Sequence, residues 1–131
     1  MQIKLTTDYA MRMINYLSEM KTVVPASEMT EKMNIPKEYA QSIGRKLKKA
    51  GYVDITLGAF GGLKLIKKPE EITIYEIVLL MERSIKLSRC LDDEKQCNRS
   101  AASFCPLHTY FNKLQDKIEQ DMKSVTFADF L

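Results

Sequence analysis

Three cysteines and the only histidine of the chain fall in one short stretch: Cys90, Cys97, Cys105 and His108. Thiolate and imidazole are the donors that soft and borderline transition metals prefer. Cys105 and His108 stand three apart at the start of a predicted helix, a spacing that shares a helical face and suits one metal centre. A helix N-terminus there also favours anionic thiolates or an anionic cluster. An odd number of cysteines argues against a secreted disulfide framework, and clustered thiols in a reducing compartment point to metal or redox chemistry. Structural zinc commonly uses two cysteines separated by two to four residues, a pair this chain lacks. An iron–sulfur cluster takes thiolates at longer spacings. The remaining reading is three unconnected thiols in a loop, although free cysteine is more often a core residue than a neighbour of polar ones. Spacing alone does not choose between cluster and unconnected thiols.

The elements that must position these groups follow from periodicity. Tyr9, Ala10, Met13, Ile14, Leu17 and Met20 recur at three- and four-residue steps and predict a helix over 7–20. A short helix over 26–32 follows, with Met29 and Met33 inward and Asn34 as its left-handed stop. A third helix runs from about Pro36 to Ala50, with Tyr39, Ala40, Ile43, Leu47 and Ala50 inward and Gly51 as its stop. Two β-prone runs, 52–56 and 63–66, flank a glycine-rich tip at 57–62 and predict a hairpin. Thr73 and Glu76 form a capping box for a fourth helix over 74–82. Residues 84–105 are polar and aperiodic and read as loop. A long helix from Pro106 to about Lys123 carries a seam of Leu107, Phe111, Leu114, Ile118, Met122 and Val125, suited to a partner helix. Thr126 and Asp129 look like a last cap. The predicted fold class is mainly α with a small β-hairpin: a winged helix-turn-helix over 1–83, a cysteine-bearing loop over 84–105, and a dimerisation helix with tail over 106–131.

Two short helices joined by a tight turn form a helix-turn-helix unit. On the outer face of the third helix, Glu38, Gln41, Ser42 and Arg45 make one stripe of the donor and acceptor types that read base edges. Lys37, Lys46, Lys48 and Lys49 flank it and suit phosphate contacts. Taken alone such a face is a solvated one; the glycine-rich hairpin directly after the helix makes it a DNA-reading helix with a wing. Gly61 and Gly62 allow close approach of the wing backbone, and Lys64, Lys67 and Lys68 can reach phosphates. Phe60 at the tip is expected to pack beneath the hairpin, with contact to DNA as the alternative.

Charge supports this division. The chain carries a formal net charge of +3. Residues 1–68 hold twelve Lys/Arg against six Asp/Glu, whereas 69–131 hold eight against eleven. A basic half joined to an acidic half suggests that the first half faces a polyanion. No apolar run approaches the roughly 20 residues of a membrane span, and the first residues lack a signal-peptide pattern. A cytoplasmic location is therefore expected. A single histidine, no phosphate-cradling glycine loop and no nucleophile–base pair argue against an enzyme.

These residues resemble those of the Rrf-type winged-helix regulators, with their IscR-like and NsrR-like branches. LTTDYAMRMINYL is similar to the family's first helix, IPKEYAQSIGRKLKKAGYV to its recognition helix and following strand, GAFGGLKL to its wing, PEEITIYEIVLLME to its fourth helix and SVTFADFL to its C-terminal signature. The resemblance implies a homodimer held by the long helix and bound to a pseudo-palindromic double-stranded operator. It also implies an iron–sulfur cluster, 2Fe–2S in preference to 4Fe–4S, with Cys90, Cys97 and Cys105 as ligands. His108 would complete the set as in the IscR-like branch, with Asp8 of the partner subunit as the NsrR-like alternative. The family's wing usually has arginine at the position of Leu57 and glycine at that of Phe60. DNA affinity would then follow cluster state, and repression is the expected output. The alternatives are a DNA-binding regulator whose cysteines are oxidised directly, or an adaptor for a partner enzyme.

Overall fold

The computed structural model describes residues 2–131. Helix α1 (Leu5–Met20) buries Tyr9, Ala10, Met13, Ile14 and Leu17 along one stripe. Met20, expected inward, is exposed at the last turn, where Lys21 takes the left-handed conformation (φ 55°) and its N–H closes on the Leu17 carbonyl. Helix α2 (Ala26–Met33) buries Met29 and ends at Asn34, also left-handed (φ 54°). Helix α3 (Lys37–Lys49) starts one residue after Pro36, which is its N-cap.

The inward stripe of α3 is Ala40, Ile43, Gly44 and Leu47. Tyr39 and Ala50, expected inward, are exposed; the Tyr39 ring instead meets Tyr9 edge-on at 5.5 Å. Gly44 joins the inward stripe where the hairpin comes closest. A Cβ there would stand 2.8 Å from Leu63 Cδ2, so the bare glycine is a notch that receives the hairpin's leucine.

Strands β1 (Val53–Thr56) and β2 (Gly62–Leu65) pair antiparallel, with Val53 opposite Leu65 and Ile55 opposite Leu63. A third rung comes from before α2, where Val24 and Leu63 exchange N–H···O bonds of 2.7 and 2.8 Å. That rung requires glycine beside it, because a Cβ on Gly62 would lie 2.2 Å from the Val24 carbonyl oxygen. The hairpin is thus tied to both the α1–α2 turn and α3.

Helix α4 (Ile74–Met81) begins with the predicted capping box: Glu76 N–H donates to Thr73 Oγ1 at 3.2 Å and Thr73 N–H to Glu76 Oε2 at 2.8 Å. Just past its end, Glu82 accepts from Lys4 N–H and Thr7 Oγ1, both at 2.8 Å, fastening α4 to the start of α1. Residues 84–105, expected to be loop, contain a short helix α5 (Arg89–Asp92) and a 3-10 turn (Glu94–Gln96). These four- and three-residue turns are too short to leave a periodic signature.

Helix α6 (Pro106–Ser124) packs against α4 and α5. Phe111, Leu114, Ile118 and Met122 of its seam are half-buried, and Leu107 is exposed. After α6 the chain returns to the N-terminal unit. Ile74 N–H donates to the Val125 carbonyl and Phe127 N–H to the Ile72 carbonyl, both at 3.0 Å. The 3-10 turn Phe127–Phe130, closed by the Thr126–Asp129 capping box, thereby places Phe127 in the main core. Phe127 is therefore part of the main core, while Asp129, Phe130 and Leu131 stay exposed. No helix among the described residues is long and apolar enough to cross a membrane.

Candidate nucleic-acid interface and cysteine site

Helix α3 turns Glu38, Gln41, Ser42 and Arg45 to solvent, together with Lys37, Lys46, Lys48 and Lys49. With Ala40, Ile43, Gly44 and Leu47 anchoring its opposite side, the helix is a fixed rod with one polar edge. A cleft of about 560 Å³ separates that edge from the hairpin and is lined by Lys37, Gln41, Arg45, Thr56, Leu57 and Gly61. Lys64 projects outward from β2, opposite Asp54, which lies 3.9 Å from Lys48 Nζ.

Two wing expectations change. Lys67, expected to reach phosphate, turns inward over the Tyr52 ring at 4.9 Å and towards Glu76 at 3.7 Å. Burial first, and then the Glu76 carboxylate, push the Tyr52 hydroxyl up to about 12, so it stays a neutral donor. Phe60, expected beneath the hairpin, is 96% exposed. The strands end at the Thr56–Gly62 pair, so the tip projects beyond the core over the cleft beside α3. Gly61 and Gly62 sit half-buried at the mouth of the tip. Internal sterics demand both, since a Cβ on Gly61 would meet the Thr56 carbonyl oxygen at 2.1 Å.

In the cysteine segment, His108 Nδ1 lies 3.2 Å from Cys90 Sγ, and Ser88 Oγ 3.1 Å from the same sulfur. His108 therefore joins Cys90, where the sequence had paired it with Cys105. Cys105 is the N-cap of α6, with extended backbone (φ −78°, ψ 120°). All three thiols are half-buried. Among the described residues, no three His, Cys, Asp or Glu side chains converge as a metal site; one thiol–imidazole pair is assembled, with Cys97 and Cys105 on the same segment. The soft-donor chemistry of this set fits an iron–sulfur group. Asp8 lies on α1, half-buried and ion-paired with Arg12.

The Cys97 thiol is held below its ordinary range. Backbone N–H groups of Ala101 and Arg99 stabilise its thiolate, partial desolvation opposes them, and Ser100 N–H adds to the effect. Cys97 should therefore alkylate first when the protein is treated with iodoacetamide at neutral pH. Peptide mapping against time checks this, and modification of Cys90 before Cys97 would contradict it.

Sequence reading missed Gln115. Its side chain is 1% exposed; Oε1 accepts from Leu87 N–H at 2.8 Å and Nε2 donates to the Ile85 carbonyl at 3.0 Å. It thus pins the strand-like lead into Ser88 and Cys90 onto α6. Gln115 falls one residue off the apolar seam, and no local pattern marks a glutamine whose partners are main-chain atoms 28 and 30 residues away.

A tight helix-turn-helix with an exposed polar edge, backed by a hairpin wing, defines a winged-helix DNA-binding transcriptional regulator. The chain belongs to the Rrf2 family, described as iron-dependent transcriptional regulators, whose model matches residues 3–131. It is similar to the protein rrf2 of Nitratidesulfovibrio vulgaris, 29% identical over 98% of this chain and 87% of the relative. It is likewise similar to the HTH-type transcriptional regulator NsrR of Bacillus licheniformis, 28% identical over 98% and 92%. The solved structure of CymR, the global cysteine regulator of B. subtilis, shares the fold with a TM-score of 0.78 at 21% identity, covering 99% of this chain and 95% of that one. The family is one of transcriptional regulators, not enzymes.

Proposed function

We propose that this regulator is a homodimeric repressor whose operator affinity is set by an iron–sulfur cluster in the 84–105 segment. Residues 1–83 form the DNA-reading unit, and the apolar seam of α6 joins two copies. Gln41 and Arg45, with Glu38 and Ser42, read base edges; Lys37, Lys46, Lys49 and Lys64 hold phosphates beside Gly61 and Gly62. The observation that carries the DNA assignment is the exposed stripe of α3 facing the cleft below the wing. Cys90, Cys97, Cys105 and His108 are the proposed ligands, with the partner's Asp8 as the alternative fourth. Support comes from the assembled Cys90–His108 pair and from the iron dependence ascribed to the family. When bound, the cluster supplies a redox- and nitric-oxide-sensitive cross-link. The chain's own residues do the rest: Gln115 fixes the lead of the segment on α6, and α6 packs on α4. A change in how the segment sits is thereby passed to the α6 seam and to the separation of two α3 helices.

An anaerobic optical spectrum with iron and sulfide counts tests the cluster; colourless, iron-free protein after anaerobic reconstitution rejects it. Arg45→Ala should weaken binding to a selected duplex about tenfold or more and relax preference at one base pair, as loss of a bidentate base contact does. Binding isotherms over a salt series check this, and an unchanged affinity would remove Arg45 from the interface. A second reading makes Cys97 a direct thiol sensor, favoured by its stabilised thiolate. Cys97→Ser should then abolish a peroxide response with iron content unchanged.

A further inference from the structure

Among the described large apolar side chains, Phe60 and Leu57 are the most exposed, at 96% and 89%. Both sit at the tip of the hairpin, where no core lies below them. Cations stand beside Leu57: Arg45, Lys48 and Lys49 line a hollow together with Ile55 and Leu57, and Phe60 lies three residues further along the same tip. An occupant that offers phosphates at its margin and stacked aromatic faces within matches both features, and duplex DNA is such an occupant. The wing cannot swing freely, because Leu63 fills the Gly44 notch and is bonded on its far side to Val24. With α3 laid in a major groove, the tip is therefore held over the adjoining minor groove.

We infer that Phe60 is an apolar wedge that the wing inserts between two base pairs from the minor groove, unstacking one step and bending the duplex, with Leu57 against the sugar edges. This rests on the reading of α3 as the groove-reading helix. It adds a specificity element that makes no base-edge hydrogen bond. Pyrimidine–purine steps unstack at the lowest cost, so the wedge favours TA or CA under the tip. Phe60 contributes no charge, so it acts on affinity without altering the number of phosphates neutralised.

The test uses the full chain and duplexes it selects from a random-sequence pool, with 2-aminopurine placed in turn at each adenine of the flanks. Wild-type protein should raise the fluorescence at one step in each half-site, and Phe60→Ala should abolish the rise. The same variant should bind about tenfold more weakly, the scale of losing one aromatic–base stack, with the salt dependence unchanged. Phe60→Leu should keep part of the signal. Flat fluorescence with wild type, or an equal rise with Phe60→Ala, overturns the wedge while leaving the α3 reading intact. Recovery of no duplex whose binding weakens with salt overturns both. If Phe60→Ala leaves the DNA complex unchanged but alters sedimentation of the free protein or its binding to lipid vesicles, the tip is a protein or membrane contact and the wedge is wrong.

Discussion

Phe127→Ala should destabilise the whole chain by about 4 kcal/mol, the cost of emptying a large aromatic site in a packed core. Phe127 is 1% exposed. It stacks edge-on with Phe130 at 6.1 Å, and its N–H is bonded to the Ile72 carbonyl. Truncation removes the transfer free energy of the ring and leaves a cavity that the surrounding helices cannot fill, because their backbones are already tied. Against a typical total of about 5–15 kcal/mol, this is a large fraction. At about 3 to 4 °C per kcal/mol for a domain of this length, the midpoint should fall by about 12–16 °C. Thermal unfolding followed by helical circular dichroism measures it. A loss within about 0.5 kcal/mol, the scale of a surface substitution, would show that the terminal turn is not part of the core.

Gln115→Leu should act more locally. The substitution keeps the volume but leaves the Leu87 N–H and the Ile85 carbonyl without partners, at about 1–3 kcal/mol for each buried group. The 84–105 segment is held on α6 through Gln115 and α5, so this cost appears as its detachment and not as global unfolding. A local opening favoured by about 3 kcal/mol corresponds to roughly a hundredfold faster amide exchange in the segment. Cys90, now half-buried between Ser88 and His108, should alkylate faster, while α1 to α4 keep their protection. Hydrogen exchange resolved by segment decides the matter. If exchange in 84–105 is unchanged, or if α1 to α4 open equally, Gln115 is not the local clamp described.

The regular part of the fold was legible because its signals are local. The α1 stripe, the Asn34 stop, the hairpin glycines and the Thr73–Glu76 box each declare themselves within a few residues. What escaped depends on distant atoms. Tyr39 turns to the Tyr9 ring, and Gly44 is inward because Leu63 packs against it, both contacts between residues far apart in sequence. His108 could be placed on a helix, but its contact with Cys90 joins residues 18 apart in sequence. Lys67 reads as a free cation until Tyr52 and Glu76 are seen beside it. Phe60 was given the ordinary fate of an aromatic residue, and the shortness of the strands denies it a core.

The return of residues 125–131 to the N-terminal core also orders events during synthesis. All of the DNA-reading unit proposed for residues 1–83 is translated before Phe127, yet its core lacks a central side chain until that residue has left the ribosome. On the proposed reading, the unit that holds α3 gains its full stability only after α6 has been made. The last side chain of the N-terminal core is thus supplied from beyond the proposed α6 seam, which couples the stability of one to the completion of the other.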